Sequence, residues 1–66
     1  MTILFTVARY RFIEDAVSAA QEVAARYGET IYVIRCHGGQ YRVSRLAQGG
    51  MVWTETPEGG YAPEED

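Results

Sequence analysis

One pair of neighbours in this chain suggests chemistry, Cys36-His37. A thiol beside an imidazole can become an activated nucleophile, the imidazole taking the proton. The pair closes an alternating stretch, Thr30 to Cys36, in which successive side chains point to opposite faces of a strand. That geometry holds the two groups apart. The chain has one cysteine and one histidine in all, too few for a zinc site. Cys36 therefore reads as a core residue and His37 as a turn residue. The chain is expected not to be an enzyme, with no catalytic, cofactor or metal site.

The glycine pairs Gly38-Gly39 and Gly49-Gly50 lack the spacing of a phosphate loop, and neither follows a strand and opens a helix. They read as hairpin turns. Arg9, Arg11, Arg35, Arg42 and Arg45 could form a basic patch, but the net charge is −3, and a nucleic-acid-binding domain is usually strongly basic. Apart from Glu29, the acids fall in two groups: Glu14, Asp15 and Glu22 in an amphipathic stretch, and Glu55, Glu58, Glu64, Glu65 and Asp66 at the end. Each reads first as a solvated charge. Together they could meet a basic groove and be steered there electrostatically.

These residues need a scaffold, and Ile13 to Tyr27 is its organising element. Ile13, Ala16, Val17, Ala20, Val23, Ala24 and Tyr27 recur at helical steps, and the alanines allow close packing on a sheet. No Ser, Thr, Asp or Asn precedes Ile13 to cap the helix, although Glu14 and Asp15 suit its positive end. Gly28 is placed to stop it. Strands are expected over Thr2–Arg9, Thr30–Cys36, Gln40–Leu46 and Met51–Thr56. The expected fold is α+β, one helix on a four-stranded, mainly antiparallel sheet in the order β-α-β-β-β.

Two-residue turns would place Ile34 opposite Val43 and Arg35 opposite Arg42. In the second hairpin they would place Leu46 opposite Trp53 and Ser44 opposite Glu55. The preferred assignment packs Tyr32, Ile34, Cys36, Tyr41 and Val43 on the helix. It leaves Ile31, Val33, Leu46, Met51 and Trp53 as a partly exposed apolar patch, the kind of surface that marks a binding site. The reverse assignment would expose a tyrosine-rich face. Residues 1–56 form the single domain, and 57–66, from Pro57 on, read as a flexible acidic tail.

A chain of 66 residues makes one domain with a thin stability margin. Tiny secreted domains usually carry disulfides, and a lone cysteine forms none within the chain, which points to the cytoplasm. The apolar N-terminus has no basic leader and is too short to span a membrane. All six bases are arginine, which suits planar, bidentate contacts at an interface.

The initial strand Ile3-Leu4-Phe5-Thr6-Val7, the alanine-rich helix from Glu14 to Ala24, the glycine-turned meander and the acidic end carry a resemblance. In size, element order and composition the chain resembles the very small phage-encoded anti-CRISPR proteins directed against type I systems, type I-C in particular. The resemblance covers the whole domain but includes no diagnostic motif, and that family has no shared catalytic residues to carry over. It implies a stoichiometric inhibitor in the host bacterium's cytoplasm that binds the crRNA-guided Cascade complex, or the Cas3 nuclease, with a block of target DNA on Cascade as the leading expectation, either by local acidic DNA mimicry on the helix face or tail or by hydrophobic capture through Trp53 and its neighbours. The partner would be a Cascade subunit, and the chain would compete with DNA rather than bind it. The inhibitor would be a monomer or weak homodimer with no membrane role. The candidate contact residues are Glu14, Asp15, Glu22, Trp53, Glu55 and Glu58. The alternative is a small phage regulator that binds nucleic acid through its arginines.

Overall fold

A computed structural model describes residues 9–63. One helix precedes a four-stranded antiparallel sheet, an α+β fold. Helix α1 spans Ile13–Tyr27, the stretch its apolar periodicity marks. Its N-cap is Phe12, in an extended conformation with no side-chain cap. Gly28 ends it with φ 65, the left-handed conformation that glycine adopts without strain, and its N–H bonds the Ala24 carbonyl. Strands β1 (Ile31–Arg35), β2 (Tyr41–Ser44), β3 (Met51–Thr56) and β4 (Gly59–Tyr61) follow. The strand expected over Thr2–Arg9 lies, but for Arg9, outside the described residues. Among these, no helix is long and apolar enough to cross a membrane.

The strand order is β2-β1-β3-β4, which corrects the expected meander. β1 is central, and β2 and β3 both pair with it instead of with each other. The cause lies after β2. Ser44 Oγ accepts the Leu46 N–H at 3.0 Å, which turns the chain out of the sheet. Gln48 then donates to Ser44 Oγ and accepts from Arg42 at 2.7 Å. The segment 45–50 thus crosses back over the sheet to start β3 on the far side of β1. Leu46 lies in this crossing, not opposite Trp53, and Ser44 pairs with Tyr32, not Glu55.

The first hairpin is also one residue off its expected register. His37, Gly38 and Gly39 form a three-residue turn, closed by the Cys36 N–H on the Gln40 carbonyl at 2.7 Å. Gly38 and Gly39 carry φ of 81 and 74, so the turn needs residues that tolerate the left-handed region. Val33 therefore pairs with Val43, and Ile34 with Arg42. Arg35 opposes Tyr41, so the expected Arg35–Arg42 repulsion does not arise.

That register decides the core face. Val43, Val33 and Trp53 stand in one cross-strand row. Ile31, Val33 and Val43 are fully buried against Ala16, Ala20 and Ala24, with Tyr10, Tyr41, Val52 and Trp53 packed around them. This reverses the preferred assignment on β1: Ile31 and Val33 are core, not patch. Ile34, on the opposite face, is also buried. Gly50 approaches it from the crossing segment: a Cβ on Gly50 would lie 3.6 Å from the Ile34 side chain. One helix cannot cover both faces of the sheet, and the crossing supplies cover on the second.

The sheet's fourth strand comes from the expected tail. Thr56-Pro57-Glu58-Gly59 makes a tight turn, and β4 returns along β3 with Glu55 opposite Gly60 and Thr54 opposite Tyr61. Thr56 Oγ1 accepts the N–H groups of Glu58 and Gly59 and donates to the Gly59 carbonyl at 2.8 Å. Residues 57–61 are therefore the turn and strand of this hairpin, Ala62 and Pro63 follow β4, and the rest of the expected tail, residues 64–66, lies outside the described residues.

Candidate functional site

The exposed side of α1 carries a run of acidic residues. Glu14 and Asp15 sit side by side in its first turn, both exposed, where the unpaired N–H groups of the helix favour negative charge. Glu22 is exposed about 12 Å further along, at 1.5 Å rise per residue. It faces Arg26 at 3.8 Å, with both side chains mostly in solvent, so the pair contributes little stability. The acidity of the face is therefore concentrated at the N-terminal turn.

Trp53 and Glu55, expected as contact residues, do something else. Glu55 is 4% exposed, and its Oε1 accepts the Trp53 indole N–H at 2.8 Å. Both side chains lie across Gly60, where any Cβ would collide with them. Glu55 is thus an internal acceptor and no part of an exposed acidic surface. Trp53 is half-buried against the core. The expected apolar patch is split: Ile31 and Val33 are buried, Met51 and Trp53 are half-buried, and Leu46 is 72% exposed on the crossing segment. Glu58 is exposed in the β3–β4 turn.

Among the described residues no hydrogen bond joins Cys36 to His37. Cys36 is half-buried and its thiol turns toward the Ile34 carbonyl at 3.9 Å, while His37 is exposed in the turn. Among the described residues no cluster of three His, Cys, Asp or Glu side chains could hold a metal ion.

The arginines are dispersed. Arg26 faces Glu22, Arg42 donates to Gln48, and Arg45 pairs with Glu29 at 3.0 Å. Arg9, Arg11 and Arg35 are exposed. These three share the end of the molecule that holds the α1 N-terminus and the β1–β2 turn. The Tyr10 backbone fixes this arrangement by exchanging two 2.8 Å hydrogen bonds with Tyr41 at the β2 edge.

At that end lies a feature that strand and helix periodicity did not mark. Arg11, Phe12, Gly38, Gly39 and Gln40 line a shallow, open depression of about 350 Å³. Phe12 is 60% exposed although it is the N-cap. The missing cap residue was the only sequence signal for this site. The depression adjoins Glu14 and Asp15 through the first turn of α1, where the Asp15 N–H bonds the Phe12 carbonyl at 3.1 Å.

Comparison with protein-family models, curated proteins and solved structures gives no match for the chain.

Proposed function

We propose that this chain is a stoichiometric inhibitor that binds the Cascade effector of a type I CRISPR system, type I-C in particular, and keeps target DNA off it. The proposal places it in the cytoplasm of the host bacterium and requires no catalytic step. The observation that carries it is the pair Glu14 and Asp15, both free in solvent on the first turn of α1. With Glu22 they set three carboxylates along one helix. Such a strip can occupy lysines and arginines that would otherwise hold DNA phosphates. The size, composition and acidic end that carry the family resemblance support the same reading.

The mimicry would be local. The described residues 9–63 hold six arginines against six carboxylates, so the body as a whole does not imitate a polyanion. Glu55, turned inward onto Trp53, adds nothing to the outer surface. The arginine-based reading is left with Arg9, Arg11 and Arg35, since the other three are engaged within the fold.

The test is a gel shift of purified type I-C Cascade with its target duplex. Near-equimolar inhibitor should abolish the shift, and Glu14→Lys with Asp15→Lys should restore it. An unchanged shift with the wild-type chain would refute the proposal.

A further inference from the structure

The depression at the start of α1 has no evident role in the fold. An N-cap position is usually filled by Ser, Thr, Asp or Asn, whose oxygen satisfies a free N–H of the first turn. Phe12 occupies it, makes no cap hydrogen bond and leaves most of its ring in water. The helix thus lacks its cap while an apolar ring stands exposed beside a concave surface. Opposite it, Gly38 and Gly39 present a wall of bare backbone, with open space where their side chains would be. Gln40 adds an amide that can donate and accept. Among the described residues Arg11 is the one charged residue in the lining.

We infer that this depression is the anchor pocket for the protein partner and takes a peptide segment bearing an apolar side chain next to a carboxylate. The inference rests on the reading that the chain binds a protein. The apolar side chain packs on Phe12. The carboxylate pairs with the Arg11 guanidinium, whose fork suits it bidentately. The segment's backbone meets the peptide groups of Gly38-Gly39 and the amide of Gln40. Aromatic and arginine anchors in a concave site are the usual centre of a protein interface. At about 350 Å³ the space is at the small end of ligand sites and suits one or two side chains.

Arg9 and Arg35 add positive charge at this end of the molecule, but the carboxylates that adjoin the depression weigh against a nucleic-acid strand. Glu14 and Asp15 stand in the adjoining turn. A strand of phosphates laid over Arg11 would bring repeated negative charge against them. A peptide carries a single carboxylate to Arg11 and can carry a basic residue to Glu14 and Asp15.

The experiment measures binding of purified type I-C Cascade to wild type, Phe12→Ser and Arg11→Ala, with circular dichroism and thermal melting on each variant. A labelled oligothymidylate serves as a second probe. Phe12→Ser supplies the missing cap, so loss of binding by that variant is not loss of the helix. Wild type should bind Cascade, and each variant should bind at least tenfold more weakly while melting cooperatively. Wild-type binding with both variants within twofold of it would overturn the anchor pocket and leave the inhibitor reading standing. No binding by wild type would overturn both. Oligothymidylate binding that Phe12→Ser abolishes would assign the pocket to nucleic acid and overturn the peptide.

Discussion

Gly60→Ala should destabilise the protein out of proportion to the one methyl it adds. Gly60 stands opposite Glu55 in the β3–β4 pair. The side chains of Glu55 and Trp53 lie over it. A Cβ there would come within 2.6 Å of Trp53 Nε1 and 2.9 Å of Glu55 Cδ, and closer still to Oε1. The backbone at Gly60 is not in the left-handed region, so the cost is steric. Two escapes exist. Glu55 can swing outward and lose its 2.8 Å bond from the indole, or β4 can peel from β3.

Breaking a hydrogen bond to a charged acceptor costs about 1.5–3 kcal/mol. A domain of 66 residues has roughly 3–10 kcal/mol in total. At about 4–8 °C per kcal/mol for a domain this small, the melting temperature should fall by roughly 6–24 °C. Trp53 is the sole tryptophan, so its emission reports the same site directly. The assay is thermal and urea unfolding followed by Trp53 fluorescence and far-ultraviolet circular dichroism. Adding Gly60→Ala to a Glu55→Ala chain should cost less than adding it to wild type, because the obstructing carboxylate is gone and the indole, no longer held by it, has room to move off the new methyl. Gly60→Ala that melts within about 2 °C of wild type with unchanged emission would refute the packing argument.

Gly49→Ala is the matched control: no atom lies within 4 Å of its Cβ position, so melting should be unchanged or slightly raised. Ile31→Ala, at a fully buried position, should cost about 2–5 kcal/mol in urea unfolding, whereas Leu46→Ser should stay within about 0.5 kcal/mol because Leu46 is 72% exposed. Arg45→Ala removes a half-exposed pair with Glu29 and should cost under about 1 kcal/mol, a difference that shrinks in high salt. Phe12→Ser and Phe12→Ala remove the same ring, so thermal melting should find the serine variant more stable by about 0.5–2 kcal/mol, the worth of a cap.

The helix was legible because its signals are local. The repeat from Ile13 to Tyr27 sets its face and Gly28 sets its end. Three strands were legible for the same reason, since alternation and glycine turns are read within a few residues. Pairing was not. Whether the first turn holds two residues or three is a one-residue difference, and in a sheet one residue exchanges the faces. That step moved Ile31 and Val33 from the expected patch into the core. The partner of β3 was settled by Ser44, whose hydroxyl ends β2 two residues before the expected strand does. β4 was missed because Gly59-Gly60-Tyr61 has no alternation. Its signal is turn chemistry, a Pro after Thr56 and a Gly two positions later, which alternation does not register. Glu55 was placed on the surface for a related reason: carboxylates are usually exposed, and only the return of β4 encloses this one.

The same pairing determines where a partner can bind. α1 covers one face of the sheet and the segment 45–50 crosses the other. The binding features left open meet at the N-terminus of α1, where the acids Glu14 and Asp15 stand beside Phe12 and Arg11. The Asp15 N–H is bonded to the Phe12 carbonyl, so the two features share one turn of backbone. If one partner covers both, they form a single interface. Its energies should then be coupled, as for residues in direct contact. Reversing the charges of Glu14 and Asp15 in a Phe12→Ser chain should weaken Cascade binding by less than the product of the separate losses, because a partner already released from the pocket no longer holds its bases against the acids. Losses that multiply in full would mean two independent contacts and would separate the acidic face from the pocket.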